Sequence, residues 1–193
     1  MVGLIQKILI DMILGIGGED ALKKIKHAAD VPLDKTFQIN TVYSDEEWQR
    51  LFAATLKVLK LTPEQAEITY GEYFGKDATQ RFPTWFKMSK NSYEFLSIQP
   101  KIHNCFASSV LDSESRKAIN DKFRIEQFPN QLITHYRSPN KLCSLYIVLA
   151  KWILNYYHDV ALIEEKKCMK SGQDECEIHI QWTQLGDHSD GAR

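Results

Sequence analysis

Apolar residues recur with the helical period along the first half of the chain and with the strand period along the second. Leu4, Ile8 and Met12, widened by Ile5, Leu9 and Ile13, predict an amphipathic helix over 2–14. Gly15, Gly17 and Gly18 are its stop signal, and Glu19 and Asp20 open a second helix over 19–28, where the dipole favours acids. Residues 29–43 read as a connector. Ser44 and Glu47 form a capping box ahead of a helix running to about Leu59, with Trp48, Leu51, Phe52, Leu56 and Leu59 facing inward. Thr62 caps the next helix, Pro63 takes its first position, and its end is expected near Phe74. Arg81 to Phe86 is an aromatic knot that reads as core packing.

A further helix begins near Phe95 with Pro100 in its first turn, where the missing N–H is harmless. Ile102, Phe106 and Val110 mark its buried face, it should end near Leu111, and 112–120 read as a polar loop. After Asp121 the period shortens. Phe123, Ile125 and Phe128 predict one strand, and Leu132, Thr134 and Tyr136 one face of a second, with Pro129-Asn130 as the turn. Residues 141–157 predict a helix with Leu145, Val148, Leu149, Trp152 and Ile153 inward. Residues 160–168 and 175–182 flank a turn at Ser171-Gly172 and read as a hairpin. The expected fold is α+β. A helical part, 1–111, packs on a four-stranded antiparallel sheet with one helix, 121–182, as a single domain over 1–182 with a flexible tail at 183–193.

Composition narrows the classes. The chain has 193 residues and is 44% hydrophobic, enough for a sizeable core. A net charge of −1 with no dense Lys/Arg cluster argues against nucleic acid. Lys7 and Asp11 interrupt the apolar start, no small-x-small cleavage site follows, and no run reaches the ~18 apolar residues of a membrane span, so a soluble cytoplasmic protein is expected. In that compartment four cysteines point to thiols, a metal or redox sensing rather than a disulfide framework. A phosphate-binding Gly loop, a nucleophile motif and paired carboxylates are all missing, so no enzymatic activity is expected.

His103 lies beside the apolar stripe of its helix, with no Asp or Glu close in sequence. It reads either as a core histidine bonded to a carbonyl or as a metal or haem ligand. Tyr136-Arg-Ser-Pro-Asn140 reads locally as a strand end running into a turn. The two occur with Met1 and Gly3 at the start, Asp45 after the connector, Gly71 in the middle helix, the aromatic knot, Phe95-Leu96, and the closing strand–helix–hairpin order. In that combination, over nearly the whole chain, the sequence resembles the haem nitric oxide/oxygen binding (H-NOX) family, relatives of the haem domain of soluble guanylate cyclase.

The resemblance implies a haem b sensor with His103 as proximal iron ligand and Tyr136, Ser138 and Asn140 at the haem propionates. Asn140 departs from the family's Tyr-x-Ser-x-Arg motif and forfeits the charge-assisted arginine contact. The family's proline after the proximal helix is also not evident in 112–120. Leu9, Phe74 and Leu145 correspond to distal pocket positions. O2-holding members have a tyrosine where Leu145 stands, so the resemblance implies binding of NO and CO but not O2. Release of His103 on NO binding would then be read by a partner, a sensor histidine kinase or a cyclic-nucleotide enzyme. As plain sequence, Leu9, Phe74 and Leu145 are also ordinary core residues.

Cys168 and Cys176 are symmetric about Gly172, which makes them cross-strand neighbours, and Cys143 opens the helix expected to pack on that sheet. Three thiols supply three of four tetrahedral zinc ligands, with His158, Glu165 and His179 as candidates for the fourth; buried thiols without a metal are the other reading. Some relatives similarly carry cysteines in this hairpin. A haem-poor zinc–thiol redox switch on the same fold is therefore the alternative function. An enzyme or carrier for another tetrapyrrole or hydrophobic ligand is a third. Cys105 reads as ordinary packing.

Overall fold

The structure, a computed structural model, describes residues 2–108, 110 and 113–186. Contacts divide the chain into two compact units between Asp77 and Ala78. That boundary falls inside a helix.

The first unit is helical. Helix α1 spans Gly3–Ala28, α2 Asp45–Leu59, and α3 Pro63–Arg81, the last of which continues past the boundary. The expected stop at Gly15 does not occur, and 2–14 and 19–28 are two arms of α1 that meet at a kink. Gly15 stays helical because the helix packs tightly there: a Cβ on it would stand 2.0 Å from the Tyr73 hydroxyl. Gly18 alone breaks the geometry, at φ 68° and ψ −170°, a region open essentially to glycine. Leu4, Ile8, Leu9, Met12 and Ile13 are buried as the period requires, with Trp48, Leu51 and Tyr70. The Tyr70 hydroxyl donates to the Ile5 carbonyl at 2.9 Å.

Ser44 caps α2 by accepting from Glu46 N and Glu47 N. Glu47 takes the Lys35 ammonium at 2.5 Å, which leaves the expected capping box half made. The second box forms in full, Thr62 and Gln65 bonding each other's backbone N–H. Helix α3 runs past Phe74 to Arg81 because nothing stops it before Pro83, and the residue ahead of a proline is pushed out of the helical region.

The second unit opens with three short helices, α4 Pro83–Met88, α5 Ser92–Ser97 and α6 Gln99–Ser108. The aromatic knot is thus partly helical. The single helix expected from Phe95 is two helices. Pro100 has no N–H for the carbonyl four residues back, so the chain ends α5 and restarts at Gln99. Helix α7, Ser113–Asn120, stands where a loop was expected. Ile119 is buried, and the helix's largely polar pattern hides the period. Leu111, the expected helix end, and residues 187–193 of the tail lie outside the described residues.

Strands β1 Phe123–Phe128 and β2 Gln131–Tyr136, helix α8 Cys143–Tyr156, and strands β3 Val160–Lys167 and β4 Cys176–Gln184 follow the predicted order. The sheet is antiparallel throughout, in the order β1-β2-β4-β3. The fold is α+β. Helix α8 packs on the inner face, where the Tyr146 and Thr134 hydroxyls pair at 2.8 Å. The other face carries charge: His135 joins Glu175 through Nδ1 at 2.8 Å and Glu126 through Nε2 at 3.0 Å. Among the described residues no helix is long and apolar enough to cross a membrane.

Candidate functional site

His103 sits in the middle of α6, half-buried, its ring 4.7 Å from that of Phe123 on β1. It makes no hydrogen bond among the described residues. Burial first, and Lys122 second, lower its pKa to about 4. At neutral pH the ring is therefore an uncharged imidazole whose lone pair has no partner among the described residues. A core histidine would normally spend both nitrogens on hydrogen bonds. The donor chemistry fits an axial haem ligand, which must be neutral.

The motif residues come together in the turn that leaves β2. Tyr136 and Ser138 are buried and Asn140 is half-buried. The Asn140 N–H donates to Ser138 Oγ at 3.3 Å. Burial raises the Tyr136 phenol to about 12, against hydrogen bonds from Ser138 and the Leu142 backbone. Tyr136 therefore stays protonated and can donate to a carboxylate. The turn fits a propionate with neutral donors only. Arg137 and Lys141, the neighbouring cations, are both exposed.

Of the distal candidates, Leu9 on α1 is fully buried and Phe74 on α3 half-buried, its ring 6.0 Å from Tyr70, both in the first unit. Leu145 is buried on α8 in the second.

The cysteines form a second cluster. Ligand atoms of Cys143, Glu165, Cys168 and Cys176 all lie within 4.8 Å of one another. Cys143 Sγ and Cys168 Sγ are 3.6 Å apart. Cys143 is the first residue of α8, Cys168 follows β3, and Cys176 begins β4 one step beyond the Lys167–Glu177 pair. Cys143 and Cys176 are buried, Cys168 half-buried and Glu165 exposed. Burial pushes both buried thiols above their ordinary pKa, so in this form they are protonated. Three thiols and a carboxylate fit a tetrahedral zinc, which would displace their protons. Of the three fourth-ligand candidates Glu165 is the one the fold brings in. His179 turns to Glu177 at 2.8 Å, and His158 is exposed. Cys105 is exposed, apart from the packing role expected of it.

One buried group was missed. Asp159 accepts from Ser92 N at 2.6 Å and from Ser92 Oγ, and Ser92 Oγ accepts from Trp182 Nε1 at 2.8 Å. Its components are scattered over ninety residues of sequence with no shared spacing, and no local signal announces it.

A family model described as haem-NO-binding matches residues 2–165. The chain belongs to the haem-NO-binding, or H-NOX, family. Solved structures agree on the fold. An H-NOX protein from S. oneidensis in its Fe(II)NO state aligns with a TM-score of 0.76 at 18% identity, covering 95% of this chain and 99% of that one. Unliganded Fe(II) H-NOX from K. algicida gives 0.74 at 20% identity over 95% and 97%. An oxygen-binding H-NOX domain related to soluble guanylate cyclases, as its oxygen complex, gives 0.77 at 15% identity over the full length of both. None of the curated proteins matches. H-NOX domains are haem-based gas sensors rather than catalysts.

Proposed function

We propose that this H-NOX chain senses NO, and also takes CO, through a haem b held by His103, and that it regulates a partner signalling protein. The observation that carries this reading is His103 itself, a neutral imidazole with no hydrogen-bond partner among the described residues. Bound haem supplies the iron that takes the gas. Tyr136 and Ser138 orient the haem through a propionate, with Asn140 beside them. The family's distal positions hold Leu9, Phe74 and Leu145, none of which carries a hydrogen-bond donor, so none offers O2 anything to offset its partial negative charge, and NO and CO need no such help. With haem bound, His103 would be the moving part: it would hold the iron, and its release on NO would free α6 to relax. A cytoplasmic sensor histidine kinase or cyclic-nucleotide enzyme reads the change.

A second reading is favoured by the four-ligand thiol cluster together with Asn140. In it the chain has little haem, holds zinc at Cys143, Glu165, Cys168 and Cys176, and releases it on oxidation. One experiment separates the two: the absorption spectrum of reduced, haem-supplied protein before and after NO, with zinc measured on the same sample. A Soret band that shifts on NO as loss of an axial imidazole requires supports the sensor. About one zinc per chain, lost on peroxide, with no Soret band, supports the switch. A protein with neither defeats both.

Asn140→Arg tests the propionate turn. A charge-assisted hydrogen bond is worth about 1.5–3 kcal/mol, so the variant should hold haem about 10-fold tighter or more. Competition for haem with an apo-globin reads this directly. An unchanged affinity would place the propionates elsewhere.

A further inference from the structure

His103 and the thiol cluster are joined by one cross-strand row of the sheet. The His103 ring lies on Phe123, and Phe123 faces Tyr136 across the β1–β2 ladder with ring centroids 5.1 Å apart. Tyr136 in turn faces Cys176 across the β2–β4 ladder. Side chains opposite one another in such ladders share a face and touch. Tyr136 is 5% exposed and Cys176 0%, so the row is packed without slack. A second route leaves the same phenylalanine. The Phe123 ring is 5.3 Å from that of Tyr146, which is tied to Thr134 and stands three residues from Cys143 on α8. Both routes end on cluster thiols. Cys143 and Cys176 are also close enough to Tyr136 to add to the raising of its phenol pKa.

The element able to move is β1. It is an edge strand with only β2 beside it in the sheet, and it packs against α6, the helix of His103. Close-packed contacts transmit a shift of one ring to the next instead of absorbing it.

We propose that the row Phe123–Tyr136–Cys176 couples the two sites, so that release of His103 alters the reactivity and metal affinity of the thiol cluster, and occupation of the cluster alters how readily His103 is released. This rests on haem ligation by His103. On metal affinity the effect must run equally in both directions, since a coupling free energy is a property of the pair of sites; the reaction rate of a thiol is under no such constraint. Phe123 is a positioning residue in this scheme, touching neither the iron nor the cluster thiols.

The test uses haem-loaded, reduced protein carrying Cys105→Ser, which removes the exposed thiol. The readout is the rate at which Cys168 is alkylated by iodoacetamide, resolved by peptide mass spectrometry under anaerobic conditions. NO should change that rate by about 5-fold or more, and CO, which leaves the histidine bound, by less than about 2-fold. In Phe123→Leu, which should still take haem, the NO response should fall to within about 2-fold. Added Zn(II) should change the fraction of protein converted by sub-saturating NO in the parent but not in the variant. Equal alkylation rates with and without NO in the parent, or a Phe123→Leu variant that responds like the parent, would overturn the coupling. If no Soret band forms, the haem reading has failed by itself. The relay is then judged in the haem-free protein, where Zn(II) should shift the NMR signals of the His103 ring. Unshifted signals would overturn the relay as well.

Discussion

His103→Gly is expected to weaken haem binding by more than the ~10–100-fold that loss of an outer partner of a metal ligand costs, and to abolish the spectral shift that NO causes in the parent. Imidazole added to the buffer should restore the parent-like spectrum by occupying the space the side chain leaves. A glycine inside α6 also costs about 1 kcal/mol of helix stability relative to alanine, so His103→Ala is the companion that separates lost ligation from a weakened helix. Haem uptake and an NO shift equal to the parent's in both variants would take His103 off the iron. The pH dependence of the haem-free protein offers an independent check. With its folded pKa lowered to about 4, His103 binds its proton more readily in the unfolded chain, whose value is about 6.5. Its contribution to stability is therefore complete at neutral pH and is lost as pH falls from about 6.5 toward about 4. Removing the ring should flatten the slope of stability against pH in that window and leave the slope above pH 7 unchanged.

What could be read from the sequence followed how local each signal is. Strands β2 and β4 and helix α8 were legible because one face of each is buried, so Leu132, Thr134 and Tyr136 alternate in sequence as they do in the sheet. Cys168 lies one residue past the last β3–β4 pair, Lys167–Glu177, so the expected cross-strand pairing with Cys176 stops one position short of it. Where packing or a single backbone bond decided the outcome, the reading went astray. Gly15 looks like a stop but is a close approach to Tyr73, which lies nearly sixty residues away. The break between α5 and α6 depends on one missing N–H at Pro100, a residue equally suited to the first turn of an unbroken helix.

The candidate residues divide in the same way. His103, Tyr136, Ser138 and Asn140 became candidates because the family resemblance fixes their order. The neutral state of His103 was not visible, since it depends on burial and on Lys122 across a turn of structure. The fourth ligand of the thiol cluster was undecidable among His158, Glu165 and His179 because strand register, and not spacing, chooses between them. Glu165 and His179 lie on neighbouring strands, and only the pleat decides which of them shares a side with the thiols.

Asp159→Ala is expected to be the most destabilising single substitution in the second unit outside the haem and thiol residues. The carboxylate is 6% exposed and accepts from the Ser92 N–H, the Ser92 hydroxyl and the Gly186 N–H. Ser92 is fully buried, so both of its donors would be left without water or a substitute. Each orphaned buried donor costs about 1–3 kcal/mol, which puts the loss at about 3–5 kcal/mol. That should appear as a fall in melting temperature of roughly 10 °C or more. Asp159→Asn keeps one acceptor oxygen but points its amide donor at another donor, and should fall between parent and alanine. Glu177→Ala is the contrasting case. Lys167 and His179 hold the Glu177 carboxyl down at about 2, yet Glu177 is only half-buried and Lys167 is exposed, so solvent screens the pairs and they contribute little. Its removal should change stability by only about 0.5 kcal/mol. Urea unfolding followed by tryptophan fluorescence reports on this network directly, because Trp182 Nε1 bonds Ser92 Oγ. Equal effects of Asp159→Ala and Glu177→Ala would mean that Ser92 and Gly186 find other partners, and that the tie between α5 and the end of β4 contributes nothing to the fold.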